Sequence, residues 1–155
     1  MNFEDLEMEF MNGSCASLAQ MFNQKYGYRI FHVFEYLKTD DEEDDYIDDD
    51  NGVIHTLVQK CPNKYLDITG EHSAKQIIDQ WYYNRGTIYQ FTEIFLIDDS
   101  MEYKIHLSNG VLSQTQITDK DHSRYKFKDY MQKINYDYLG KFNISEVCEY
   151  TLNNL

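Results

Sequence analysis

A run of nine acidic residues in twelve positions, Thr39 to Asp50 (TDDEEDDYIDDD), constrains this chain more than any other feature. Carboxylates at that density repel one another and bury almost no apolar surface, so the run reads as an exposed loop outside any core. It closes on Asn51-Gly52, a dipeptide suited to a turn. Asp48, Asp49 and Asp50 offer oxygen ligands, but the alternation and the closing bidentate Glu of a calcium loop are missing. No metal site is therefore expected there.

On either side of the run the sequence is suited to strands. Tyr28 to Leu37 (YRIFHVFEYL) is aromatic and branched, and Val53 to Lys60 and Lys64 to Ile68 read as two strands joined through Cys61-Pro62-Asn63. Upstream, Cys15, Leu18, Ala19, Phe22 and Tyr26 recur at helical spacing, which predicts a helix over 14–26 capped by Ser14 and stopped by Gly27. A second helix is expected from Ser73 to about Tyr82, with Ile77, Ile78 and Trp81 on one side and Arg85-Gly86 as its stop. Thr87 to Ile97 is read as a strand. Met101 to Leu107 and Val111 to Thr118 flank Asn109-Gly110, whose tolerance of positive φ makes it a strong hairpin signal.

Two C-terminal helices are expected. One carries the stripe Phe127, Tyr130, Met131, Ile134 and Tyr138; the other carries Ile144, Val147, Cys148, Thr151, Leu152 and Leu155, with Asn143 and Glu146 as a capping pair and Cys148 in the core. The sum is an α+β fold in one domain, 1–155, with a helix at the N-terminal cysteine packed on an antiparallel sheet and two helices at the end. No repeat, Gly-rich phosphate loop or dividing linker interrupts it.

Composition narrows the partners. Only 14 Lys and Arg face 27 Asp and Glu, a formal charge of −13, which argues against direct binding to nucleic-acid phosphates. A negative surface suits a basic protein partner or keeps a chain with 14 Tyr and 9 Phe in solution. Three widely spaced cysteines form neither a zinc pattern nor a disulfide framework, so a reducing compartment, the cytoplasm, is expected. The acidic N-terminus reads as lacking a secretory signal, and no apolar stretch is long enough to span a bilayer. No cofactor is indicated.

The chemistry-bearing residues are Cys15, His55 and Asp67. Cys15 stands at the start of a predicted helix, where unpaired N–H groups and the positive end of the dipole favour a thiolate. His55 and Asp67 lie on the two arms of a predicted hairpin. A three-residue connection sets Asp67 opposite Leu57 and leaves His55 and Asp67 as diagonal neighbours on one face; a two-residue loop would send them to opposite faces. Each also has a structural role open to it: Cys15 as a small core residue, His55 as a satisfied imidazole, Asp67 as an acceptor for the Thr69-Gly70 turn. Among the other histidines, His32 is expected in mid-strand, and His72, His106 and His122 near turns or on an exposed face.

The segments Gly13-Ser14-Cys15-Ala16-Ser17-Leu18-Ala19, Tyr26-Gly27-Tyr28-Arg29-Ile30, His55-Thr56-Leu57-Val58 and Lys64-Tyr65-Leu66-Asp67-Ile68-Thr69-Gly70, with Trp81 beyond them, resemble small papain-like or transglutaminase-like proteins of bacteria and their phages over residues 10–81. The resemblance implies a papain-like core and amide-directed acyl chemistry on a protein or peptide, as in a peptidase, amidase, deamidase or transglutaminase, with Cys15 as nucleophile, His55 as base and Asp67 orienting it. No Gln precedes Cys15, which leaves Asn12 or the Cys15 backbone N–H as oxyanion donors. The alternative is a non-catalytic acidic inhibitor, such as a phage anti-defence protein, that covers a basic nucleic-acid-binding surface through Asp40, Asp41, Glu42, Glu43, Asp44, Asp45, Asp48, Asp49 and Asp50.

Overall fold

The computed structural model describes residues 2–11, 13–37, 52–83, 92–138 and 140–155, with the side chains of Leu37, Thr92, His122, Ser123 and Tyr125 excepted. The fold is α+β, with five helices and a seven-stranded antiparallel sheet among the described residues. The helices are α1 (Phe3–Met11), α2 (Cys15–Tyr26), α3 (Ala74–Trp81), α4 (His122–Met131) and α5 (Ile144–Asn153). The strands are β1 (Arg29–Leu37), β2 (Gly52–Cys61), β3 (Lys64–Asp67), β4 (Gly70–His72), β5 (Thr92–Asp98), β6 (Tyr103–Ser108) and β7 (Val111–Gln116), in spatial order β4-β3-β2-β1-β5-β6-β7. No helix among the described residues is long and apolar enough to cross a membrane. The acidic segment 39–50 and the Arg85-Gly86 stop lie outside the described residues.

The chain divides into two compact units. The first comprises Met1–Phe31, His55–Ser73 and Ile134–Leu155. Its core joins Leu6 and Phe10 of α1, Leu18, Ala19 and Phe22 of α2, Val58 and Leu66 of β2 and β3, and Val147 and Cys148 of α5. These positions follow from the stripes of α2 and α5, and Cys148 is fully buried in them. The helix α1 is not evident from periodicity, because only Leu6 and Phe10 of its nine residues are buried.

Helix ends reveal one correction and two agreements with the sequence. Gly27 takes the left-handed conformation (φ 72°) and returns its N–H to the Asn23 carbonyl at 2.9 Å, as a helix stop should. Ser14 does not cap α2; its hydroxyl donates to Glu9 Oε1 at 3.0 Å instead, tying α2 back to α1. On α5, the Asn143 side chain accepts the Glu146 N–H at 3.2 Å, the expected cap.

The second unit comprises His32–Ile54 and Ala74–Lys133. Its core is Phe34, Phe95, Ile97, Ile117 and Phe127, with Phe127 edge-on to Phe34 at 5.6 Å and to the buried His32 ring at 5.5 Å. The His32 Nε2 lies 2.6 Å from Asp99 Oδ1, which satisfies that imidazole. Asn109 (φ 52°) and Gly110 (φ 78°) make the two-residue turn between β6 and β7. Gly52 is not part of a turn but the first residue of β2, where a Cβ would meet the Tyr130 ring at 2.5 Å. The stripe expected through Ile134 and Tyr138 stops early: α4 ends at Met131, and Tyr138 instead packs against Phe10 in the first unit.

Candidate active site

All three proposed residues fall in the first unit, and the β2–β3 hairpin determines whether two of them meet. The connection is a two-residue turn, Pro62-Asn63, because Cys61 already pairs with Lys64. This corrects the expected three-residue loop. Asn63 supplies the positive φ, 59°, that the reversal needs. The ladder then shifts between Gln59 and Cys61, so that Gln59 pairs with Tyr65 and Val58 with Leu66. Lys60 is the extra residue of a β-bulge, and it restores the parity that a plain two-residue turn would have lost. One step further along this register, Asp67 stands against Leu57, and His55 is its diagonal neighbour on the same face.

The two side chains are in direct contact. His55 Nε2 lies 2.9 Å from Asp67 Oδ2, with both residues buried. The second carboxylate oxygen, Oδ1, is held by the turn after β3: it accepts the Thr69 N–H at 2.8 Å and the Thr69 hydroxyl. Asp67 is thus fixed at one oxygen by its own Asx turn and at the other by His55. The tight β3–β4 reversal, with Asp67 opposite Gly70 at φ 114°, makes this local bond available.

Cys15 is the first residue of α2 and is half-buried. Burial alone would push its thiol up, but a hydrogen bond with His55, the His55 charge, and the backbone N–H groups of Thr56 and Ala16 together bring it below its usual value. Burial likewise opposes charge on His55, yet its hydrogen bonds to Asp67 and then to Cys15 raise it to about 9. Asp67 is also opposed by burial, and its bonds to His55, His72 and Thr69 hold it well below the usual carboxylate range. These directions agree on one state, a thiolate facing an imidazolium that is braced by a carboxylate. Since Nε2 is committed to Asp67, Nδ1 is the ring nitrogen that remains to exchange a proton with sulfur.

Cys148 differs. It is pushed up to about 12, chiefly by burial, and is inert. Beside Cys15, the space bounded by Phe10, Leu18, Phe22, Thr56, Leu57 and Asp67 is too tight for a water molecule. A separate open groove of about 720 Å³ lies between Ser17, Gln20 and Gln24 of α2 and the segment carrying Tyr136, Phe142 and Asn143. Asn12, the expected oxyanion donor, lies outside the described residues, as do all the acidic residues of 40–50.

The bond from the Thr69 N–H to Asp67 is the structural role the sequence left open, whereas the Thr69 hydroxyl and His72 were not singled out from sequence. Thr69 and His72 form a chain behind Asp67: the His72 Nε2 lies 2.7 Å from Thr69 Oγ1 and 3.6 Å from Asp67 Oδ1. Because Thr69 gives its proton to Asp67, its oxygen accepts from His72. The signal was the Asp-x-Thr-Gly turn, whose reversal returns the chain so that His72 stands opposite Tyr65, two residues before Asp67. No family model, curated protein or solved structure matches this chain.

Proposed function

We propose that the protein is a thiol-dependent hydrolase or acyl transferase acting on an amide bond, with Cys15 as nucleophile, His55 as general base and acid, and Asp67 as the group that orients His55. The observation that supports this reading most is the buried 2.9 Å contact of His55 with Asp67 beside a thiol at the head of a helix. A papain-like or transglutaminase-like origin is part of the proposal and rests on the sequence resemblance.

In this reading the Cys15 thiolate, its proton already held at His55 Nδ1, attacks the carbonyl carbon of the substrate amide. The tetrahedral adduct collapses as the C–N bond breaks and His55 returns that proton to the leaving amine. The acyl group is then held as a thioester on Cys15. Water or a second amine attacks it, His55 accepts the proton of the incoming group, and the C–S bond breaks, which restores the thiolate–imidazolium pair. Asp67 stays ionised throughout and stabilises the imidazolium. Backbone N–H groups at the start of α2 suit the oxyanion.

Acylation by p-nitrophenyl acetate, read by intact mass, tests the reading. The expected result is a single acetyl group on Cys15, turned over by water or transferred to added hydroxylamine, and lost in His55→Ala. Acetylation of Cys15 no faster than that of a free-cysteine peptide removes the proposal.

A second reading is favoured by the net charge of −13: the chain is an acidic inhibitor, of the phage anti-defence kind, for a basic surface. Neutralising the acidic residues of 40–50 would abolish capture of a basic partner while Cys15→Ala would not. The enzyme reading predicts the opposite dependence on Cys15.

A further inference from the structure

The cluster behind Asp67 carries an inference of its own. His72 sits on β4 at the rim, with a quarter of its side chain exposed, whereas His55 and Asp67 are sealed. From the rim inward the polar atoms form a continuous line: His72 Nε2 to Thr69 Oγ1 at 2.7 Å, Thr69 Oγ1 to Asp67 Oδ1, and Asp67 Oδ2 to His55 Nε2 at 2.9 Å. Each link runs in one direction of donation. His72 gives an N–H to Thr69, Thr69 gives its hydroxyl proton to Asp67, and His55 gives its Nε2–H to the other carboxylate oxygen.

We propose that His72 is a positioning residue which, through Thr69 and Asp67, makes the basicity of His55 depend on the charge carried at the rim. The physical reason is that one carboxylate serves two imidazoles. A cation at His72 lies 3.6 Å from Asp67 Oδ1 and draws on the negative charge that otherwise stabilises an imidazolium at His55. With His72 charged, His55 releases its proton more readily; with His72 neutral, His55 holds it more tightly. The Thr69 hydroxyl also prevents the carboxylate from rotating, so that Oδ2 stays aimed at His55.

The groups that face His72 come from three strands. Asp67 on β3 and the adjacent Glu71 on β4 favour its charged form, and His55 on β2 opposes it. Glu71 is shared with Lys64 at 3.9 Å, and Tyr65 is the cross-strand neighbour of His72. Asp67 is the strongest influence, and His72 is raised above the ordinary histidine value. The rim imidazole thereby acts as a regulatory input to the proposed thiol site. Its meaning for reactivity rests on the reading of Cys15 as nucleophile, while the coupling between the two histidines does not.

The test uses the full chain and two substitutions, the cationic His72→Lys and the neutral His72→Gln, with the His55 ring signals followed by carbon-detected NMR from pH 5 to 10. The expected result is a His55 midpoint lower in His72→Lys than in His72→Gln by roughly half a unit or more at low salt. Thr69→Ser should keep the wild-type His55 midpoint, and Thr69→Val should move it. Equal midpoints in the Lys and Gln variants would overturn the inference. Iodoacetamide labelling of the same samples separates the two claims. An ordinary Cys15 with a His55 that still follows residue 72 refutes the enzyme reading and leaves the coupling standing. An activated Cys15 with a His55 indifferent to residue 72 does the reverse.

Discussion

His55 and Asp67 meet across a strand pair because Lys60 is one residue too many for the ladder. The Pro62-Asn63 turn by itself would have put the two side chains on opposite faces, and the bulge between Gln59 and Cys61 returns them to one. Deleting Lys60 should therefore separate imidazole from carboxylate without touching either. The expected outcome is a less stable protein whose Cys15 alkylates with the pH profile of an unassisted thiol, measured by mass spectrometry.

Removing the charge on Asp67 while keeping its shape isolates its electrostatic part. Asp67→Asn should destabilise the fold by about 1–3 kcal/mol, since it weakens a buried hydrogen bond to a charged group. It should also slow Cys15 alkylation near pH 6.5 by roughly tenfold or more, because the imidazolium that holds the thiolate loses its counter-charge. Urea denaturation and labelling rates check the two effects separately.

Stability should depend on pH in a defined window. His55 is raised from 6.5 to about 9 in the folded protein, so the stability it contributes is complete below pH 6.5 and is lost as pH rises through about 9. Asp67 is shifted down, so its contribution is present above the ordinary carboxylate value of 3.8 and is lost as pH falls below it. Because the lowered Cys15 thiol opposes His55 over this interval, the decline should be read in Cys15→Ala, whose urea midpoint falls above pH 6.5 and whose gap to Cys15→Ala/His55→Gln narrows as pH rises.

The second unit offers a control outside the unit that holds the thiol. Phe127 is fully buried against Phe34 and His32, and Phe127→Ala should cost about 3–5 kcal/mol through lost contacts and an unfilled cavity. Thermal unfolding followed by near-ultraviolet circular dichroism measures it.

Much of the fold was legible wherever one local rule dominates. The Asn109-Gly110 hairpin, the Gly27 stop and the Asn143 cap each follow from backbone chemistry that needs no tertiary partner. The stripes of α2 and α5 were clear because their apolar faces pack together. α1 was hidden, since Leu6 and Phe10 give too short a period to distinguish a helix. The boundary of α4 was misplaced because Tyr138 is apolar at helical spacing but is recruited by Phe10. For the site, residue type and order pointed to Cys15, His55 and Asp67, and parity was the deciding unknown. A bulge leaves no mark in the sequence, because Lys60 is as acceptable in a regular strand end as in an irregular one. The Thr69 hydroxyl and His72 were passed over for a similar reason: their roles exist only once the chain reverses at Gly70.

The measurement that bears most directly on the account is the rate of Cys15 alkylation by low concentrations of iodoacetamide across pH, with Cys61 and Cys148 in the same molecule as internal references. Cys15 should react through a thiolate formed below the ordinary thiol value of 9.0, while Cys148, pushed up to about 12, stays unlabelled until the protein unfolds. His55→Ala should return Cys15 to an ordinary profile. A wild-type Cys15 that titrates near 9, or one whose profile is unchanged by His55→Ala, would contradict the claim that sulfur, imidazole and carboxylate act as one unit.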